Sequence, residues 1–243
     1  MKPIHKVMIS AAILFVTALL AVLVYFGFIH LNHPGKKRYP VRGVDVSSYQ
    51  GKIDWPLLAE QKIDFAFIKA TEGSDYVDDC FAANFNAAVR TELKVGAYHF
   101  FTGLSPGKTQ AENYIRTVPK TENMLPPVVD VEFPSSVLEE RADELRQELL
   151  DFLETVTAYY GKNPIIYVTE ESCQGLIQGT FDDYNIWYRS VYRPIPKGRS
   201  CTFWQYSNRH RLKGYSGRET YIDMNTFCGG REEWETYCAG NGV

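Results

Sequence analysis

Apolar residues in this chain recur in two rhythms, and their order outlines an architecture. Val44 and Val46 alternate with Asp45 and Ser47, the period of two expected of a half-buried strand. Phe65–Ala70, Val95–Phe101, Pro126–Phe133 and Pro164–Thr169 are short apolar runs bounded by turn residues, and each reads as a strand. Between them the period lengthens to three and four. Asp54 is positioned to N-cap a short helix that begins through Pro56. A helix over Asp79–Glu92 gathers Phe81, Phe85, Ala88 and Val89 on one side, and Ser105-Pro106 opens another that runs to Val118. The strongest helical pattern covers Ser136–Tyr160, where Leu145, Leu149, Phe152, Leu153 and Val156 share a face and Gly161 supplies a left-handed stop. A short helix follows around Ser172–Ile177. Beyond it the pattern predicts three more strands, Asn185–Arg189, Thr202–Tyr206 and Tyr221–Asn225, joined by loops and no helices.

Eight strands result, the first five each followed by a helix. This alternation predicts an α/β fold with a parallel, buried sheet, and eight strands favour closure into a TIM-like (β/α)5(β)3 barrel whose last three strands lack helices. A doubly wound open sheet is the alternative, but no glycine-rich phosphate loop follows any strand.

A different pattern precedes the first strand. No charged residue occurs from Met8 to Ile29, while Lys2, His5 and Lys6 lie ahead of the run. That is longer than the ~7–15 apolar residues of a signal-peptide core and long enough to span a bilayer. Residues 1–33 are therefore expected to form an uncleaved transmembrane signal anchor, with a cleaved signal peptide as the alternative and a secreted protein as its consequence. Residues 34–41 read as a linker and 42–243 as the barrel. Lys36, Lys37, Arg38 and Arg42 after the span would draw that side inward. The chemistry argued below places the barrel on the extracytoplasmic side instead.

Composition narrows the partners. The formal net charge is −3, with Lys2 and Lys6 outside the barrel, and the one basic run is Lys36-Lys37-Arg38, so nucleic acid is not an expected ligand. The 16 Tyr and 14 Phe exceed what packing requires and suit carbohydrate contact. The five cysteines show no CxxC spacing, so no zinc site, metal or cofactor is expected. Cys228 and Cys238 are close enough in sequence to close a tail loop, although spacing alone does not assign a pairing.

Functional groups of such barrels gather at the C-terminal ends of the strands. Asp130 and Glu132, two apart on one strand, share a face with β-carbons roughly 6–7 Å apart from the strand rise. Paired acids at a strand end either raise one carboxyl's pKa for proton donation or simply cap a helix or hold an arginine. The other strand ends contribute Asp45, Glu72, Tyr98 with His99, Tyr167, Trp187, Gln205 and Asp223. Glu72 reads as a loop or cap acid and His99 as a hydrogen-bonded strand histidine.

The segments Asp45-Val-Ser-Ser-Tyr-Gln-Gly51, Asp54-Trp55, Ile68–Gly73, Gly96–Phe100, Asp130-Val-Glu132, Phe203–Ser207 and Asp223–Phe227 together resemble the glycoside hydrolase family 25 lysozymes. They stand in the family's order across nearly all of residues 41–228. The resemblance implies a muramidase that cuts the β-1,4 bond between N-acetylmuramic acid and N-acetylglucosamine in peptidoglycan, acting without a cofactor and as a monomer. It implies Glu132 as general acid, Asp130 as stabiliser of the reacting centre, and Asp45 and Asp223 completing an acidic cluster. Substrate-binding candidates are Tyr49, Tyr98, Tyr167, Trp187 and Gln205. The pair's placement on one strand resembles enzymes that use the substrate's acetamido group as nucleophile. Arg189 departs from expectation, either narrowing a subsite or pairing with Asp182 or Asp183. The competing functions are a barrel that binds wall glycan without cutting it, and an N-acetylglucosaminidase or chitinase-like hydrolase.

Overall fold

The computed structural model describes residues 3–29, 32–199 and 201–243. Lys2, named above in the basic flank, lies outside them. The apolar run forms α1 (Pro3–Tyr25), and its window Ile4–Tyr25, with mean hydropathy 2.9, has no part buried inside the protein.

The remainder builds a closed barrel. Its elements in chain order are β1 (Arg42–Val46), α2 (Trp55–Ala59), β2 (Phe65–Glu72), β3 (Tyr76–Val77), α3 (Phe81–Ala88), β4 (Lys94–Phe100), α4 (Gly107–Thr117) and β5 (Val128–Val131). Then come α5 (Ser135–Tyr160), β6 (Ile165–Val168), α6 (Glu170–Ser172), β7 (Asn185–Arg189), β8 (Phe203–His210), β9 (Ile222–Phe227) and α7 (Arg231–Gly240). Strands β1-β9-β8-β7-β6-β5-β4-β2 lie side by side, and β1 pairs with β2 to close the ring. The two-residue β3 adds only a hairpin on the outer end of β2.

The expected barrel is present, with a difference in direction. The pairings from β1 through β2 and β4 to β8 are parallel, but β9 is antiparallel to both β8 and β1. The connection from His210 to Ile222 carries no helix, so the chain turns back as a long hairpin instead of crossing over. Asp223 therefore reaches the catalytic rim from the start of its strand, not from the end, where it pairs with Asp45.

Side chains alternate between two cores. Outward residues such as Val44, Val46, Ile68, Val129 and Val168 pack against the helices. Inward residues Phe65, Phe67, Val128, Ile165, Trp187 and Phe203 fill the barrel's lower half. Phe65 and Phe67 fit because a Cβ at Gly43 would lie 2.3 Å from the Phe65 ring, and one at Gly96 would lie 2.7 Å from the Phe67 ring. Helix α7, an element the periodicity did not give, closes the bottom by setting Trp234 5.5 Å from Phe65 and 5.4 Å from Phe227.

The suggested Cys228–Cys238 loop is corrected. Cys201 and Cys228 are joined, with Cα atoms 6.0 Å apart. They flank the neighbouring β8 and β9, whose Phe203 and Phe227 are directly paired, so the ends of the hairpin meet there. Cys238 is instead buried in α7 as a free thiol.

Candidate active site

With the lower barrel filled by aromatics, the polar inward positions cluster at the upper rim. They line an open cleft of about 790 Å³. Asp45, Asp130, Glu132 and Asp223 all reach it, as do Tyr49, Tyr98, Tyr167, Trp187 and Gln205. Tyr25 and Phe26, from the end of α1, form part of its wall.

The four acids differ in what holds them. Asp45 accepts hydrogen bonds from Asn225 Nδ2 at 2.7 Å and from Gln205 Nε2 at 3.0 Å. The same Gln205 amide donates to Asp223 at 3.1 Å, while its Oε1 accepts from the Tyr167 hydroxyl at 3.0 Å. Trp187 Nε1 donates to Asn225 Oδ1 at 2.8 Å. Gln205, Tyr167 and Trp187 therefore form a buried brace for Asp45 and Asp223. Asn225 was absent from the sequence-based candidates, although its position two residues after Asp223 puts it on the same face and was the signal for it.

Asp130 and Glu132 are less restrained. Asp130 Oδ1 is buried without a hydrogen-bond partner among the described residues. Burial, then the charges of Glu132 and Asp45, push the Asp130 carboxyl well above the usual carboxylate range. Burial also raises Glu132, partly opposed by the positive charge of Arg189. Asp223 is pushed well up by burial and by Asp45. Burial raises Asp45 too, against the lowering effect of its bonds to Asn225 and Gln205. Such a cluster favours proton sharing, because several carboxylates confined together cannot all ionise cheaply.

Two rim residues are tied to neighbouring side chains, and one of them, Glu72, also lines the cleft. Glu72 pairs with Lys69 at 2.6 Å. His99 is fully buried between Thr71 Oγ1 at 2.8 Å and Gln110 Oε1 at 3.0 Å, and burial lowers its pKa to about 4. It stays neutral and away from the cleft lining. Arg189 pairs with neither Asp182 nor Asp183; Asp182 instead accepts from the Gly179 backbone at 3.0 Å. The inward register of β7 aims Arg189 into the cleft, opposite Gln205 of β8. Tyr49 is half exposed, with the Arg218 guanidinium 4.1 Å from its ring centre.

The profile of glycosyl hydrolases family 25 matches residues 44–215, which contain most of β1, all of β2 to β8 and three of the four acids. The chain belongs to this family. A solved family 25 glycosyl hydrolase from Bacillus anthracis is 45% identical, with a TM-score of 0.78 over 88% of this chain and 98% of that one. A bacterial lysozyme from Streptomyces coelicolor is 30% identical, with a TM-score of 0.71 over 83% of this chain and 98% of the other. Lysozyme M1 of Streptomyces globisporus is 34% identical over 203 residues, or 78% of this chain and 68% of that protein. This family 25 hydrolase is a glycosidase of the lysozyme class, and peptidoglycan is its substrate. Asp223 and Asn225 lie beyond the matched span, but β9 brings them into the same rim.

Proposed function

We propose that the enzyme is a muramidase that cuts between N-acetylmuramic acid and N-acetylglucosamine, with Glu132 as general acid and base and Asp130 steering the substrate's acetamido group. The observation that carries this reading is the contrast among the acids. Asp45 and Asp223 are held by amides, whereas Asp130 keeps a buried oxygen with no partner among the described residues, beside Glu132.

Asp130 and Glu132 project from one strand end, so both meet the sugar from the same side. A direct nucleophile must approach the anomeric carbon opposite the leaving group, which this arrangement does not favour. The acetamido carbonyl can make that approach. Glu132 gives its proton to the glycosidic oxygen as the C1–O bond breaks, and the acetamido oxygen bonds to C1. The resulting ring carries positive charge, and Asp130 accepts the amide N–H and stabilises it. Glu132, now a carboxylate, takes a proton from water as the water oxygen attacks C1 and reopens the ring. One water is consumed, Glu132 is restored, and the anomeric configuration is retained.

Asp130's raised pKa fits this role. Burial keeps the carboxyl reluctant to ionise even with Lys69 and Arg189 favouring its charge, and the forming oxazolinium adds a positive charge in direct contact. The test is a substrate whose acetamido methyl is replaced by trifluoromethyl, which withdraws electrons from the carbonyl oxygen. Participation predicts a clearly lower rate, because the nucleophile of the first step is weakened. An unchanged rate contradicts it.

Membrane attachment through α1 belongs to the same reading. Arg209 donates to the Tyr25 carbonyl, and Arg211 donates to the Phe26 carbonyl at 3.1 Å. Cations at a helix C-terminus complement its dipole and its unpaired carbonyls. This docking supports a barrel held against the end of its span on the extracytoplasmic side, where the wall glycan is.

A further inference from the structure

Arg189 does more than face the acids. It is half-buried, and its guanidinium makes no hydrogen bond or ion pair among the described residues. It borders two spaces, the catalytic cleft and a second cavity of about 450 Å³ between the end of β6 and the loop after β7. Thr169, Glu170, Tyr188 and Tyr192 also line that second cavity.

Two polar atoms of these lining residues are buried without a hydrogen-bond partner among the described residues. One is the hydroxyl of Tyr188, a residue only 1% exposed, and the other is Glu170 Oε2. Glu170 Oε1, by contrast, accepts from Arg199 at 2.9 Å. Buried polar atoms are ordinarily paired, and each exception calls for an explanation. Here the residues that carry a cation, a hydroxyl and a carboxylate line one cavity, which meets the glycan cleft at Arg189. Neutral sugar hydroxyls do not require a guanidinium. Muramic acid differs from other wall sugars by a lactyl group, whose carboxyl carries a peptide with both N–H donors and carboxylates.

We propose that the second cavity is a subsite for the peptide stem of muramic acid. Arg189 binds a stem carboxylate, Glu170 Oε2 accepts a peptide N–H, and Tyr188 bonds to the peptide backbone. The enzyme then selects glycan whose muramic acid still carries its stem. This inference rests on the muramidase reading, because only that reading places muramic acid beside Arg189. A purely electrostatic role for Arg189 predicts something else. Its charge lowers the pKa of Glu132, so its removal would alter cleavage of every substrate alike and move the pH profile.

The test uses the full-length protein in detergent and two forms of one glycan. One carries its peptide stems; the other has them removed and the remaining lactyl carboxyl converted to the neutral methylamide. The wild type is expected to favour the stem-bearing form in kcat/KM by about tenfold or more, through KM, the weight of a charge-assisted hydrogen bond. Arg189→Gln and Glu170→Gln are each expected to shrink that preference severalfold, and Arg189→Lys to retain part of it. A wild-type ratio near one, or a ratio untouched by both Gln substitutions while the pH profile moves, overturns the subsite. If the wild type cuts neither form, the muramidase reading has failed, and titration with a muramoyl dipeptide judges the cavity by itself. Saturable binding weakened by Glu170→Gln supports it, and no binding overturns it.

Discussion

Replacing Glu132 by Gln is expected to lower kcat on purified peptidoglycan by ~10²–10⁴-fold while leaving KM nearly unchanged, the usual consequence of removing a general acid. The substitution keeps the side chain's shape, so the cleft and its hydrogen bonds stay in place. Only the transferable proton is lost. The wild-type pH profile carries the same information. Burial raises the Glu132 carboxyl, and Arg189 opposes part of that rise. The proton donor is therefore lost only as pH climbs above the ordinary carboxylate range, which sets the alkaline limb of kcat/KM. The residual activity of Glu132→Gln should show no such limb. Near wild-type turnover in a variant with an unchanged circular dichroism spectrum would remove Glu132 from the role.

Asp130→Asn is expected to move activity and stability in opposite directions. Turnover should fall by ~10²-fold or more, the scale of losing one preorganised electrostatic contact to a developing charge. Stability at neutral pH should rise. The Asp130 carboxyl has a folded-state pKa well above its unfolded value, through burial and then through Glu132 and Asp45. Its stabilising contribution is thus fully present below the unfolded pKa and is lost as pH rises through the folded one. At neutral pH the fold carries the cost of burying a carboxyl that the unfolded chain would leave ionised in water, and Asn removes that cost. The gain is of the order of 1 kcal/mol, typical when a functional site is relieved of strain. It should fade as pH falls below the ordinary carboxylate range. Thermal unfolding at neutral and acid pH, read beside turnover, measures both effects. A variant that is destabilised at both pH values, or fully active, contradicts the role given to Asp130.

Much of this fold was legible in the sequence because it rests on local periodicity. Alternation marked the strands, the spacing of Leu145, Leu149, Phe152 and Val156 marked α5, and Gly161, at φ 71°, ends that helix as expected. The strand ends then named the rim, and all nine candidate site residues do line one cleft. What escaped depends on pairing between distant segments. The antiparallel β9 follows from a connection too irregular to reveal its direction, so Asp223 was placed at the rim for an incorrect reason. The Cys201–Cys228 bridge follows from the β8–β9 register, which spacing does not encode. Helix α7 buries chiefly Trp234 and Cys238 on an otherwise polar face, too thin a stripe to stand out. Gln205 and Trp187 were read as glycan contacts, yet their polar groups brace Asp45 directly or through Asn225. Only the assembled rim reveals that division, because side-chain hydrogen bonds join β1, β6, β7, β8 and β9.

In the reading proposed above, this cleft hydrolyses the muramic acid linkage of wall glycan. End-group analysis of purified peptidoglycan digested by the full-length protein tests it most directly, with products reduced and identified by mass. New reducing ends on N-acetylmuramic acid are expected, formed by the wild type and nearly absent with Glu132→Gln. New ends on N-acetylglucosamine, or binding of the glycan with no new ends, would contradict it.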